Sequence, residues 1–188
     1  TILFFMKWII ASDLHGSAYY CRKLLERIES EKADKVLLLG DLLYHGPRND
    51  LPKDYNPKEV TAMLNGIAEK IVCVRGNCDS QVDQMVLNFP IMADYAVLDF
   101  GEHAVYATHG HIYNEENPLK FAKGSILICG HFHVPCVREH ENFIYINDGS
   151  LSIPKENSWH CYMTFDGKTF LWHDAETGVV KMEYRPEA

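Results

Sequence analysis

Five times along 188 residues a short apolar run breaks directly into glycine, aspartate, asparagine or histidine. Lys7 to Ser12 opens into Asp13-Leu14-His15, and Val36-Leu37-Leu38-Leu39 opens into Gly40-Asp41. Ile71-Val72-Cys73-Val74 leads to Arg75-Gly76-Asn77-Cys78-Asp79, the run before Thr108 to His109-Gly110-His111, and Ile126-Leu127-Ile128-Cys129 to Gly130-His131-Phe132-His133. Apolar runs of this length, bounded by turn residues, read as buried strands. Two helical patterns separate the first three. Ser17 stands as an N-cap before Cys21, Leu24, Leu25 and Ile28, which share one helix face. Asn56 as cap, Pro57 in the first turn and Glu59 completing a capping box announce a second helix, with Val60, Met63, Leu64, Ile67 and Ala68 as its buried stripe. Strand and helix alternation of this kind predicts parallel pairing through right-handed crossovers.

The second half changes character. Candidate strands at 92-100, 103-108, 125-129, 134-140, 143-147, 159-165, 168-174 and 179-185 are joined by the turn signals Gly101-Glu102, Glu141-Asn142, Asp166-Gly167 and Thr177-Gly178. Antiparallel hairpins are expected to dominate there. The chain thus reads as α/β (α+β): two mixed sheets packed face to face, flanked by helices, within a single domain over 1-188.

Composition narrows the partners. With 18 Lys+Arg against 26 Asp+Glu the net charge is -8, and no basic block offers a track for a long nucleic acid. A small phosphate ligand held by metal fits this balance. The six cysteines show no Cys-x-x-Cys pair, which argues against a zinc knuckle or a disulfide framework and points to reduced thiols and a cytoplasmic compartment. Lys7 interrupts the apolar opening well short of the roughly 20 residues that a membrane span needs, so no membrane is expected. Residues 1-5, ahead of Met6, are expected to be an upstream remnant.

Loops at the carboxyl ends of neighbouring strands converge in open α/β sheets, so the five strand-end motifs are expected to meet. Together they offer two aspartates, one asparagine and at least four histidines, an oxygen and nitrogen set suited to Mn, Fe, Zn, Co or Ni more than to Ca or Mg. Seven donors exceed one tetrahedral ion, whereas two ions sharing a carboxylate leave positions open for substrate.

The ordered motifs Asp13-x-His15, Gly40-Asp41, Gly76-Asn77-x-Asp79, His109-Gly110-His111 and Gly130-His131-x-His133 resemble the calcineurin-like metallophosphoesterase superfamily over most of the chain. Within it, Gly76-Asn77-Cys78-Asp79, the loop Tyr44-His45-Gly46-Pro47-Arg48-Asn49 and the small size are similar to the bacterial YfcE-type phosphodiesterases. The resemblance implies a four-layer sandwich. It implies that Asp13, His15 and His133 hold one divalent ion, that Asn77, His109 and His131 hold another, and that Asp41 bridges, with manganese the expected metal. It implies hydrolysis of a small phosphodiester by attack of a metal-bridging hydroxide on phosphorus. A phosphomonoesterase or nucleotide phosphatase with the same core is the alternative activity. A scaffold like the metallophosphoesterase-fold subunit of retromer is the non-catalytic alternative.

Many members of the superfamily carry histidine where this chain has Cys78. A thiol is a weak donor and an inefficient general acid for an alkoxide, which favours substrates with good leaving groups. His111 is expected to contact substrate or to orient His109, and Arg48, with His45 on the same loop, to grip a phosphate. Asp79 is expected to support its own loop or a metal-ligand histidine, and Asn147-Asp148-Gly149-Ser150 to shape a loop beside the site. His103, His140, His160 and His173 are expected at the surface. The hairpin strands offer an interface for a homo-oligomer.

Overall fold

The computed structural model describes residues 6-99 and 103-187, so the expected remnant at 1-5, residue 100 and the turn at Gly101-Glu102 lie outside the described residues. β1 (Trp8–Ala11), β2 (Lys35–Leu38) and β3 (Ile71–Cys73) pair in parallel. They are linked by helices α1 (Ala18–Ser30) and α2 (Pro57–Asn65), the second followed by a 3-10 turn at Ala68–Lys70. A short helix α3 (Gln81–Val86) follows. The remaining strands are β4 (Tyr95–Asp99), β5 (Ala104–Thr108), β6 (Ser125–Cys129), β7 (Cys136–Glu139), β8 (Phe143–Asn147), β9 (Cys161–Phe165), β10 (Phe170–Asp174) and β11 (Val180–Tyr184).

They form two mixed sheets, one in the order β11-β10-β9-β1-β2-β3 and one in the order β4-β5-β6-β8-β7. The alternating pleat decides which side chains face where. Ile9, Val36 and Leu38 pack with Cys21, Leu24 and Ile28 of α1 and with Val60 and Leu64 of α2. Their neighbours Ile10, Leu37 and Leu39 face the other way, onto Val105, Ile126, Ile128, Ile146, Phe170 and Trp172. That second cluster joins the two sheets. Phe121 covers part of the outer face of the five-stranded sheet, against Tyr106 and Phe143.

Hairpins do form at β4/β5, β7/β8, β9/β10 and β10/β11. The middle of the five-stranded sheet departs from that expectation, because β5, β6 and β8 pair in parallel. Parallel neighbours need a crossover rather than a turn. Segment 109-124 provides the first, and β7, turned back as the antiparallel edge, lies within the second.

Local signals explain the helix starts. Ser17 accepts a hydrogen bond from Tyr20 N–H, and Asn56 Oδ1 accepts from Glu59 N–H. The capping box expected at α2 is only half formed: the Asn56 N–H donates to Gly16 O, and Glu59 receives the Asn56 side-chain amide instead. Of the expected stripe only Val60 and Leu64 are fully buried: Met63 is half-buried within α2, and Ile67 and Ala68 lie beyond its end at Asn65 and pack partly buried against the same core. A complete capping box lies at α3, where Ser80 and Asp83 exchange bonds, and the Ser-x-x-Asp spacing was its sequence signal.

His173 corrects the surface reading. It is 3% exposed, because β10 lies between β9 and β11 and turns it onto Tyr162 beside the end of α1. His140 is exposed as expected, and His103 and His160 are half-buried. Ile128, buried between the sheets, tests the packing. Ile128→Ala is expected to cost about 2–5 kcal/mol in chemical denaturation, whereas Val82→Ala, at a position 68% exposed, should stay within about 0.5 kcal/mol.

Candidate metal centre

Every expected ligand lies just past the carboxyl end of a parallel strand: Asp13 and His15 after β1, Asp41 after β2, Asn77 after β3, His109 after β5, and His131 and His133 after β6. β1, β2 and β3 belong to one sheet and β5 and β6 to the other, so the ligands face one another across the sheet–sheet junction. The loops interlock through main-chain bonds. His15 N–H donates to Asp41 O at 2.9 Å, Asp13 N–H to Gly40 O at 3.1 Å and Gly130 N–H to His109 O at 2.9 Å.

The seven side chains converge. Asp13 Oδ1 lies 3.2 Å from His133 Nε2 and 3.4 Å from His15 Nε2. At the other end His109 Nε2 lies 3.0 Å from Asn77 Oδ1 and 3.2 Å from His131 Nδ1. Asp41 Oδ2 stands between the two groups, 3.6 Å from His15 Nε2 and 3.4 Å from His109 Nε2. His131 and His133 therefore lie at opposite ends of the cluster.

Each carboxylate is split into an anchored oxygen and a presented one. Asp13 Oδ2 accepts from Ser12 Oγ and from His131 N–H, and Asp41 Oδ1 accepts from Cys78 N–H. Three histidines are held by the main chain: Nδ1 of His15, His109 and His133 meets the carbonyls of Tyr44, Leu39 and Ile153 at 2.8, 2.7 and 2.5 Å. A carbonyl accepts only, so each Nδ1 carries a proton and each Nε2 is the ring nitrogen turned toward the centre, where its lone pair becomes available once a divalent ion displaces any proton there. Asp13 Oδ1 and His15 Nε2 are buried and have no hydrogen-bond partner among the described residues. Orphaned acceptors facing each other at this depth fit divalent ions, which supply the missing positive charge.

Charges follow from this crowding. Burial opposes ionisation of Asp13, but His133 and His15 hold its pKa well below the usual value. Burial likewise opposes charge on His109, and the Asp41 hydrogen bond with the Asp13 and Asp41 carboxylates outweighs it, carrying the pKa up to about 9. His131 is pushed down to about 4 by burial and by His109, and so stays neutral. Burial and the Asp41 carboxylate push the Cys78 thiol up to about 12.

The backbone is bent to make the site. Asp13, His15, Asp41, His131 and His133 all have positive φ, between 47° and 65°. Such conformations cost about 1–3 kcal/mol each and persist only where the surroundings enforce them. Gly76 is required by proximity: a Cβ there would lie 2.1 Å from Asp41 Oδ1. Asp79 props the same loop, accepting from the N–H groups of Asp41, Leu42 and Gly76 at 2.8, 2.9 and 2.7 Å. It supports main chain and contacts no ligand histidine.

A cavity of about 440 Å³ opens onto the centre, lined by His15, Asp41, Asn77, Cys78, His131 and His133 together with Arg48, Phe132 and Lys155. Arg48 is exposed and lines it, whereas His45 does not. Lys155 and Phe132 had no signal in the sequence beyond their nearness to other motifs. His111 is half-buried, with its ring 5.4 Å from that of His109. It does not orient His109, whose Nδ1 is taken by Leu39 O. Asn147 Nδ2 holds Gly130 O, and Ser150 and Ser152 hold Asp13 O, so the 147-152 loop braces the centre from behind.

Comparison with known proteins agrees with this geometry. Residues 6–169 match the model of the calcineurin-like phosphoesterase superfamily domain. The chain is 40% identical to phosphodiesterase YfcE of Escherichia coli strain K12 over 161 residues, 86% of this chain and 88% of that protein. It superposes on the solved structure of Yfce, a phosphoesterase from E. coli, with a TM-score of 0.93 at 36% identity, covering 97% of this chain and 100% of that one. Vps29 of Entamoeba histolytica, solved in complex with zinc, shares the fold at a TM-score of 0.65 and 20% identity, covering 97% of this chain and 100% of that one. The chain belongs to the calcineurin-like phosphoesterase superfamily.

Because a Cβ at Gly76 must displace Asp41, Gly76→Ala should lose bound metal while keeping its secondary structure. Elemental analysis alongside circular dichroism checks this.

Proposed function

We propose that this superfamily member is a metal-dependent hydrolase of small phosphodiesters. Asp13, His15 and His133 would hold one divalent ion, Asn77, His109 and His131 the other, and Asp41 both. The observation that carries the assignment is Asp41 Oδ2, a single oxygen flanked by His15 Nε2 and His109 Nε2. Divalent ions there supply Lewis acidity toward phosphoryl oxygens and acidify water toward neutral pH.

The chain's own groups do the rest. The Arg48 guanidinium offers a two-pronged grip on a phosphate oxygen pair, and Lys155 adds a second cation to the cavity wall. Phe132, 45% exposed, gives an ester substituent an apolar face beside the ions. Asn77 is exposed and His131 half-buried, whereas Asp13, His15 and His133 are buried, so substrate approaches from the Asn77 side. Cys78 lines that side and offers only an S–H, a poor proton donor to a departing alkoxide. Diesters with good leaving groups suit such a site better than alkyl monoesters. The name of the relative, phosphodiesterase YfcE, supports the same reading.

Manganese is the ion we expect from the resemblance to YfcE-type phosphodiesterases; the donor set of oxygen and imidazole nitrogen without an assigned thiolate suits Mn, Fe, Zn, Co or Ni. No helix among the described residues is long and apolar enough to cross a membrane. A cytoplasmic location and reduced thiols complete the proposal, together with self-association through the second-half strands.

Protein stripped of metal and resupplied with Mn, Zn, Ni, Fe or Mg should hydrolyse bis-p-nitrophenyl phosphate faster than p-nitrophenyl phosphate. A faster monoester would make it a phosphomonoesterase, and no turnover with any ion would leave a scaffold. Asp41→Asn should lower metal content and activity together, beyond the ~10–100-fold typical of changes outside the ligand set; a metal-replete, fully active variant would remove the bridging assignment. Cys78→His is expected to raise monoester relative to diester turnover, and an unchanged ratio would detach Cys78 from the preference.

A further inference from the structure

Ser12 stands between two buried carboxyl groups with one hydroxyl proton to give. Its Oγ is 2.6 Å from Asp13 Oδ2 and 2.8 Å from Asp148 Oδ1, with Gly149 O a longer third neighbour at 3.4 Å. A single proton cannot serve two carboxylates. If Ser12 donates to Asp13, the contact with Asp148 is a hydrogen bond only when Asp148 carries a proton of its own.

The surroundings decide which group is the acid. Asp13 has the support an anion needs: Oδ2 also accepts from His131 N–H at 2.9 Å, and Oδ1 faces His133 and His15. Asp148 is 0% exposed, and its Oδ2 has no hydrogen-bond partner among the described residues. Its ionisable neighbours include Cys129 and Cys161, both buried thiols, with Asp13 and more remotely His109. Burial first, and the Asp13 carboxylate second, push its pKa well above the carboxylate range.

We propose that Asp148 is a positioning residue of the metal centre: as a neutral acid it donates to Ser12 Oγ, which donates to Asp13 Oδ2 and leaves Oδ1 as the coordinating oxygen. The inference rests on the ligand role proposed for Asp13. Two bonds in series, both directed at Asp13, polarise each other in a dry interior. They also limit the negative charge behind that ion to one carboxylate. Asparagine at 148 can supply the same donor through Nδ2. Leucine fills a similar volume and cannot.

Infrared spectra of wild type and Asp148→Asn at neutral pH, with calorimetric Mn titrations of wild type, Asp148→Asn, Asp148→Leu and Ser12→Ala, test the relay. Wild type should show the carbonyl stretch of a protonated carboxylic acid, and Asp148→Asn should lack it. Asp148→Asn should bind Mn within about threefold of wild type, while Asp148→Leu and Ser12→Ala should weaken one of the two sites by about 10–100-fold. The Ser12→Ala, Asp148→Leu double variant should be no weaker than the worse single one, because both break one chain. Absence of the band in wild type, or an Asn variant as weak as the Leu variant, overturns the proposal. Should the Leu variant fail to fold, the band and the Asn titration still decide. Wild type that binds no divalent ion overturns the ligand assignment of Asp13 and the relay's purpose with it, while the band separately reports whether Asp148 is protonated.

Discussion

Two aspartates, Asp13 and Asp41, are buried beside each other at 0% and 2% exposure. Removing a carboxylate from water costs several kcal/mol even after relaxation, and each raises the cost of ionising the other. Much of the architecture answers that one problem. Main-chain N–H groups of Cys78 and His131 and the Ser12 hydroxyl take one oxygen of each pair. The other oxygens are turned toward imidazoles, and the charge still lacking is what divalent ions bring. The strained loop backbone, the glycine forced at position 76 and the Asp79 prop are parts of the same answer. Each holds a donor or a carboxylate where an unconstrained loop would let it relax toward solvent.

The placement of this cluster depends on sheet topology. Parallel strands bring their carboxyl ends to one edge, and the two sheets pack so that both edges face each other. The candidate ligands, from position 13 to position 133, meet only when the sheets have docked. The side chains of Ile10, Leu37, Leu39, Ile126 and Ile128, packed between the sheets, thus govern the site through the docking they secure.

Strand ends were legible because an apolar run that stops at Gly-Asp or Gly-His has few other uses. Helices α1 and α2 were legible from their caps and periodic faces, and all seven expected ligands do come together. What could not be read is what depends on three-dimensional neighbours. The parallel centre of the five-stranded sheet hides because pairing partners leave no local mark, and short turns suggested that hairpins dominate. His173 looked like a surface residue because nothing in β10 shows that it lies inside a sheet. His111 sits in a motif beside His109, yet the group that orients His109 is the carbonyl of Leu39, 70 residues away. Asp148 looked like a turn residue, and only its distance from Ser12, 136 positions earlier, gives it chemistry.

The carbonyls of Leu39, Tyr44 and Ile153, which fix three imidazoles, belong to the main chain. Any amino acid at those positions presents the same oxygen. In many metal sites the outer partner of a histidine is a carboxylate side chain, which one codon change can delete. Here the tautomers are insured against substitution, and drift at 39, 44 or 153 reaches the ligands only by moving the backbone itself. Sensitivity to substitution is thereby expected at the candidate ligands, at their glycines and at the Ser12 contact, while the imidazole orientations are carried by the fold itself.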